Sequence, residues 1–119
     1  IDWERHQEWF KDKINDRNNY LYIAENNQGE IGQIRFECVD RKAVVDYSIS
    51  SNFRGKGFGK KVVQQAIKKI KKNCLNIEVI EAKVKVSNIA SNKIFLGLDF
   101  NEYNRTEQVT IYRLVLDKI

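Results

Sequence analysis

The chain has 119 residues, 42% hydrophobic and 31% charged, with a net charge of +5, a size and balance that suit one domain spanning residues 1–119 and leave little room for two. No apolar run approaches the roughly 20 residues of a membrane-crossing helix, and the opening Ile1-Asp2-Trp3-Glu4-Arg5-His6 lacks the pattern of a secretory leader. A lone histidine, His6, excludes a multi-histidine zinc site, and Cys38 and Cys74, far apart and without metal-ligand spacing, fit two reduced thiols in a cytoplasmic protein.

In chain order, Asp2 to Ile14 is expected to be helical, with Trp3, Phe10 and Ile14 roughly on one face, and Asn15-Asp16-Arg17-Asn18-Asn19 ends it. Tyr20 to Glu25 reads as a strand, Asn26-Asn27-Gln28-Gly29 as a turn, and Ile31 to Cys38 as the second arm of a hairpin. In that arm Ile34, Phe36 and Cys38 alternate with Gln33, Arg35 and Glu37, the period-two signature of a half-buried strand. Asp40-Arg41-Lys42 turns the chain into a third strand, Ala43 to Ile49. The pattern then changes. A glycine-rich loop leads into a helix, Gly59 to Asn73, with Val62, Val63, Ala66, Ile67 and Ile70 as its apolar stripe. Glu78 to Val86 is again a strand and, following a strand–loop–helix, should lie parallel to Ala43–Ile49 through a right-handed crossover. Ser87 or Asn88 caps a second helix to about Leu98. Phe100–Tyr103 and Val109–Asp117 form a last hairpin. The order describes an α+β domain: a mixed, mostly antiparallel sheet with one parallel pair, flanked by helices.

The loop Arg54-Gly55-Lys56-Gly57-Phe58-Gly59 carries the chemistry. Glycine tolerates positive φ and lacks a Cβ, so backbone N–H groups can converge on an anion. The helix that follows presents its positive end to the same place. Eight of the 21 Lys and Arg fall between Arg54 and Lys72, which favours a phosphate-bearing ligand over a diffuse nucleic-acid surface. The phosphate-loop pattern of nucleotide triphosphatases is absent, and glycines at 55, 57 and 59 do not fit the dinucleotide fingerprint.

Arg54-x-x-Gly57-x-Gly59 resembles the Arg/Gln-x-x-Gly-x-Gly/Ala motif of the GCN5-related N-acetyltransferase (GNAT) superfamily. Val86-Ser87-Asn88-Ile-Ala-Ser91-Asn-Lys-Ile94-Phe95 with Asp99-Phe100 resembles that family's Asn-x-x-Ala/Ser-x-x-Leu-Tyr-x-x-x-Gly-Phe segment. The resemblance spans nearly the whole chain, although Ser51 stands where proline is common and, by the resemblance, the family's first strand and first helix are expected to be missing before Ile1. It implies an acetyl-CoA-dependent transfer of an acetyl group to a primary amine. It also implies a splayed parallel strand pair that admits the pantetheine arm. Backbone amides from Arg54 through Lys60 (Gly55, Lys56, Gly57, Phe58 and Gly59 among them) would hold the coenzyme A pyrophosphate. Ile49 and Ser51 would pair with pantetheine, a backbone N–H near Ile49 would polarise the thioester carbonyl, and Asn88 would contact pantetheine or fix the splay.

Phe95 occupies the position where the family carries the tyrosine that protonates the departing thiolate, so it is expected beside the cofactor but without a proton to give. The acid is then Tyr103, Tyr47 or water, or the thiolate leaves unaided. Candidate bases are Asp46, Glu37 and Glu81, with Asp46 on the strand that borders the thioester. Trp3, Trp9 and Phe10 border an acceptor groove or pack on the sheet. The Trp3-Glu-x-His6-x-x-Trp9-Phe10 opening and Ile31-Gly-x-Ile34-Arg35-Phe36 resemble acetyltransferases of nucleotide-linked amino sugars, the acceptor class this favours, and are also similar to protein N-terminal acetyltransferases of the ribosomal-protein type, the alternative. The expected partner is a small-molecule amine, with no nucleic acid or membrane, and with a homodimer through the edge of the last strand. A non-catalytic acetyl-CoA-binding module is the competing class, separated by thiol release from acetyl-CoA in the presence of amines.

Overall fold

Alternating apolar and polar residues build most of this molecule as sheet. A computed structural model describes residues 9–15, as backbone, and 18–116; Trp3 and His6 lie outside the described residues. The elements run β1 (Trp9–Asn15), β2 (Asn19–Asn26), β3 (Gly29–Val39), β4 (Lys42–Ile49), α1 (Phe58–Asn73), β5 (Val79–Lys85), α2 (Ile89–Gly97), β6 (Asn101–Arg105) and β7 (Val109–Val115). Among the described residues they form one seven-stranded sheet in the order β1-β2-β3-β4-β5-β7-β6. β4 and β5 pair in parallel, and every other neighbouring pair is antiparallel.

The expected helix over Asp2–Ile14 is corrected in its second half, where β1 pairs antiparallel with β2 from Trp9↔Glu25 to Asn15↔Tyr20. The register slips between Asp12 and Ile14. Such a bulge breaks the period of two, so apolar Phe10 and Ile14 stand four apart, a spacing a helix shares. Tertiary pairing along the open side of β2 decides the matter. Elsewhere the turn residues act as expected. Asp40 and Arg41 both take positive φ, 52° and 67°, giving the two-residue hairpin whose twist matches its strands.

Both helices lie over one face of the sheet. Tyr22, Ile34, Phe36, Val45, Ile80 and Val84 rise from the strands to meet Val63, Ala66, Ile67 and Ile70 of α1 and Phe95 of α2. Each such side chain removed from water contributes about 2 kcal/mol. A smaller cluster of Ala24, Ile31, Phe53, Phe58 and Val62 sits under the glycine-rich loop. The reverse face carries the even-numbered residues of β4, the odd-numbered ones of β3 from Gln33 on and the odd-numbered ones of β5. There Glu81, 5% exposed, holds Arg113 Nε at 2.9 Å and Lys42 Nζ at 3.5 Å.

The last strand is not an edge: β7 is enclosed between β5 and β6, and β6 is the edge. A dimer through the edge of the last strand is therefore excluded by the strand order. The parallel pair is short. Lys42↔Val79 through Val45↔Ala82 are its only partners, while β4 continues to Ile49 and β5 to Lys85. Beyond Val45 the two strands part.

Candidate active site

The glycine-rich loop is pinned at both ends by aromatic rings. Phe53 and Phe58 meet edge to face at 5.3 Å and are both buried. Between them the chain reverses through Gly55 (φ 74°) and Gly57 (φ 84°), the left-handed conformation that side chains disfavour. Gly57 is also the N-cap of α1, and no side chain caps that helix, so its first amides are left for a ligand. Among the described residues Gly55, Lys56 and Gly57 donate no backbone hydrogen bond, whereas the Arg54 N–H reaches Ser51 O at 3.4 Å. Gly59 has a different role. A Cβ there would lie 2.8 Å from Ile94 Cδ1, so its absence lets the start of α1 close against α2.

The end of β4 completes the wall. The Ser50 N–H bonds back to Ile31 O at 2.8 Å. Antiparallel alternation then aims the main-chain groups of Ser48 and Asp46 at β3, and those of Tyr47 and Ile49 away from it, into the gap beside β5. Ile49 O already accepts Arg54 Nε at 2.9 Å. The gap opens into a cleft of about 590 Å³ lined by the predicted Ile49, Arg54, Gly55, Gly57, Gly59, Lys60 and Asn88. Asn88 caps α2, its side chain accepting the Ser91 N–H at 3.1 Å. Lys56 is exposed on the loop but outside the lining, Ser51 is exposed on a short 3-10 turn (Ser51–Phe53), and the Phe58 ring is in the core below.

Three expectations change. Phe95 does not face the cleft; it is 2% exposed and packs on Phe100 at 5.0 Å and Tyr112 at 6.1 Å. The cause is the C-terminus of α2. Asp99 takes φ 69°, and the Phe100 N–H returns to Phe95 O at 3.1 Å, a closing turn that brings those two rings together. Tyr103 lies on β6, 60% exposed, with the Arg113 guanidinium 3.6 Å from its ring centre, and does not line the cleft. Glu81 is held by Arg113 and Lys42. Burial pushes its carboxyl up, but the Arg113 hydrogen bond and the Lys42 charge outweigh that and leave it below the usual range, unsuited to a base. Glu37 is exposed on β3 outside both cavities at the end of β4, while Asp46 is exposed on the reverse face and borders the smaller of them.

The hydroxyl that does line the cleft is Tyr47. Its Oη stands 2.6 Å from Ser91 Oγ, and its ring meets Phe95 edge to face at 6.0 Å. Burial raises its pKa, partly opposed by the Ser91 hydrogen bond, so it keeps its proton at neutral pH. Sequence reasoning offered Tyr47 only beside Tyr103; the contact with Ser91, 44 residues away, left no local trace. Among the described residues no metal-ligand cluster occurs, and no helix is long and apolar enough to cross a membrane.

A mixed sheet that parts after one short parallel run, with a glycine-rich turn and an uncapped helix at the parting, defines an acyl-CoA-binding architecture of the GNAT type. The profile described as Acetyltransferase (GNAT) domain matches residues 1–101. The chain belongs to that family. No curated protein sequence matches it. Solved structures share the fold at low identity. The ribosomal L7/L12 α-N-protein acetyltransferase RimL, in complex with coenzyme A, is 18% identical at a TM-score of 0.73, over 84% of this chain and 63% of that one. Spermidine N-acetyltransferase from Vibrio cholerae, in complex with CoA and spermine, is 20% identical at 0.74, over 95% and 70%. The N-acetyltransferase PseH from Campylobacter jejuni, in complex with acetyl coenzyme A, is 19% identical at 0.72, over 86% and 71%. The chain thus spans just under two thirds of the first and about 70% of the others.

Proposed function

We propose that this chain is an acetyl-CoA-dependent N-acetyltransferase acting on a primary amine, with an amino sugar carried on a nucleotide as acceptor. The observation that carries the reading is the loop from Gly55 to Gly57, whose unpaired amides and positive-φ glycines open beside the uncapped start of α1. These features fit a diphosphate, and the cleft that continues from them along the freed main chain of Tyr47 and Ile49 fits an extended thiol arm.

When bound, acetyl-CoA supplies an activated acyl group. The loop amides and Lys60 hold its phosphates, and the main-chain groups of Tyr47 and Ile49 hold its arm as an added strand would be held. The Ile49 N–H is the donor suited to polarise an acyl oxygen in the gap. Tyr47 Oη holds a proton for the leaving sulfur, steadied by Ser91, and so takes the part that Phe95 cannot. Asp46, on the reverse side of the same strand, is the carboxylate available to the incoming ammonium. The setting in this reading is cytoplasmic, the single sheet supports one catalytic domain, and a homodimer would use the exposed edge of β6.

The test pairs thiol release with proton donation. Tyr47→Phe should keep acetyl-CoA affinity and lower kcat about a hundredfold, the scale of general acid catalysis. Because the donor form is lost as pH rises through a raised pKa, the alkaline limb of parent kcat should fall only above the ordinary tyrosine value near pH 10. Unchanged kcat in the variant would remove Tyr47 from the mechanism. A screen in which amino sugars stay inert while peptide N-termini react would replace the acceptor with the protein class.

A further inference from the structure

Two cavities meet on one strand. Besides the main cleft, a hollow of about 130 Å³ is walled by Leu21, Gln33, Arg35, Asp46, Tyr47 and Ser48. Tyr47 and Ser48 border both. The hollow therefore opens on the side of β4 opposite the helices, and the two spaces are separated only by the thickness of the strand end. Across the strands Arg35 is the register partner of Asp46, and Gln33 of Ser48. Among the described residues neither Arg35 nor Asp46 has an ion pair.

Further charges share this face of the sheet. Val44 pairs with Glu81 across the parallel run, so alternation along both strands puts Lys83 and Lys85 on the same face of the sheet as Asp46 and Ser48, on the strand that parts from β4. Both lysines are exposed. Glu81 is already matched by Arg113 and Lys42. Glu37 sits opposite Val44, one repeat farther from the gap. Glu107 stands beyond Lys85, in the neighbouring hollow under the β6–β7 turn. Among the described residues the hollow is lined by one cation, Arg35, and one carboxylate, Asp46, while the exposed Lys83 and Lys85 lie outside its lining, along β5 on the same face.

We infer that this reverse-face hollow is the acceptor subsite, and that it selects amines bearing a phosphate group while rejecting polycationic amines. The inference rests on the acetyltransferase reading above. Asp46 attracts the ammonium to the strand end where Tyr47 and Ile49 face the gap. Arg35, whose planar fork suits phosphate oxygens, anchors the anionic group, with Lys83 and Lys85 as point charges on the far bank. A polyamine would meet Arg35 beside Asp46 and the two lysines of β5 on the same face, and each close like-charge contact disfavours it.

The experiment compares glucosamine, glucosamine 6-phosphate, UDP-glucosamine and spermidine as acceptors, and measures equilibrium binding of the same four to protein saturated with coenzyme A. Phosphorylated amines should exceed glucosamine at least tenfold in kcat/KM and in affinity, and spermidine should be poorest. The two phosphorylated probes separate a monoester from a nucleotide diphosphate. Arg35→Ala should raise KM for the phosphorylated acceptors about 10- to 100-fold, the scale of one lost charge-assisted contact. It should raise KM for glucosamine much less and leave KM for acetyl-CoA unchanged, and Arg35→Glu should shift preference toward spermidine. Spermidine as the best parent acceptor, or an Arg35→Ala effect equal for all four amines or absent, overturns the subsite while leaving the acetyltransferase reading standing. Failure to bind coenzyme A, with no thiol release from any amine, overturns both.

Discussion

Replacing Gly57 by valine puts a branched side chain at a φ of 84°, where nothing lies within 4 Å of the added Cβ. With no clash in the free protein, the cost to folding is conformational, about 1–2 kcal/mol. An unfolding entropy of about 2.1 cal/mol/K per residue over 119 residues gives about 250 cal/mol/K, so each kcal/mol moves the melting temperature about 4 °C. The variant should therefore melt about 4–8 °C below the parent and still fold. Its ligand response should differ far more. Coenzyme A at a hundred times its Kd stabilises the parent by about 2.7 kcal/mol, a rise of about 11 °C. Losing two charge-assisted amide contacts weakens binding about a hundredfold, which at the same concentration leaves a rise of about 2 °C. Differential scanning fluorimetry with and without coenzyme A reads both numbers. A variant that rises as far as the parent would show that the loop does not cradle the diphosphate.

Three further outcomes follow from the packing. Glu81→Gln should cost about 2 kcal/mol by denaturant titration, the scale of a hydrogen bond to a charged group. Its depressed carboxyl contributes stability above the unfolded pKa near 4.3, and that contribution should vanish as pH falls through the lower folded value, so the parent–variant gap should close in acid. Asp99→Gly should stabilise by about 1 kcal/mol, about 4 °C, because Asp99 holds a left-handed φ of 69° at a helix end that glycine takes without strain; no gain would place the turn outside the folded-state energetics argued for it. Cys38, whose thiol is pushed up to about 12 by burial and then by the neighbouring Cys74, should react with iodoacetamide at pH 8 about a thousandfold more slowly than a free thiol until the protein is unfolded. Rapid native labelling by mass spectrometry would contradict that environment.

What the sequence revealed depends on whether a feature is written locally. The α1 stripe, the hairpin at Asp40-Arg41 and the glycine-rich turn are local, and their positions emerge as read. β1 was obscured because its bulge erases the alternation that marks a strand. Phe95 was assigned to the cofactor from its place in a motif, yet its surroundings are set by the closing turn at Asp99 and by Tyr112 on β7. Tyr103 is a candidate acid by residue type alone; only the strand order places it on the far edge. The Tyr47–Ser91 contact and the hollow behind Asp46 arise from elements distant in the chain, and no window of sequence contains them.

The parting of β4 from β5 bears on how such a protein can diverge. A sheet that leaves main-chain donors and acceptors unused at its centre offers a visitor the one chemical feature that every residue type shares. Substitutions at Tyr47 to Ile49 or Lys83 to Lys85 alter the tint of the passage but not its hydrogen-bonding grid. A scaffold of this kind can exchange four fifths of its residues, as the 18–20% identity to its structural kin implies, and still keep the same fold.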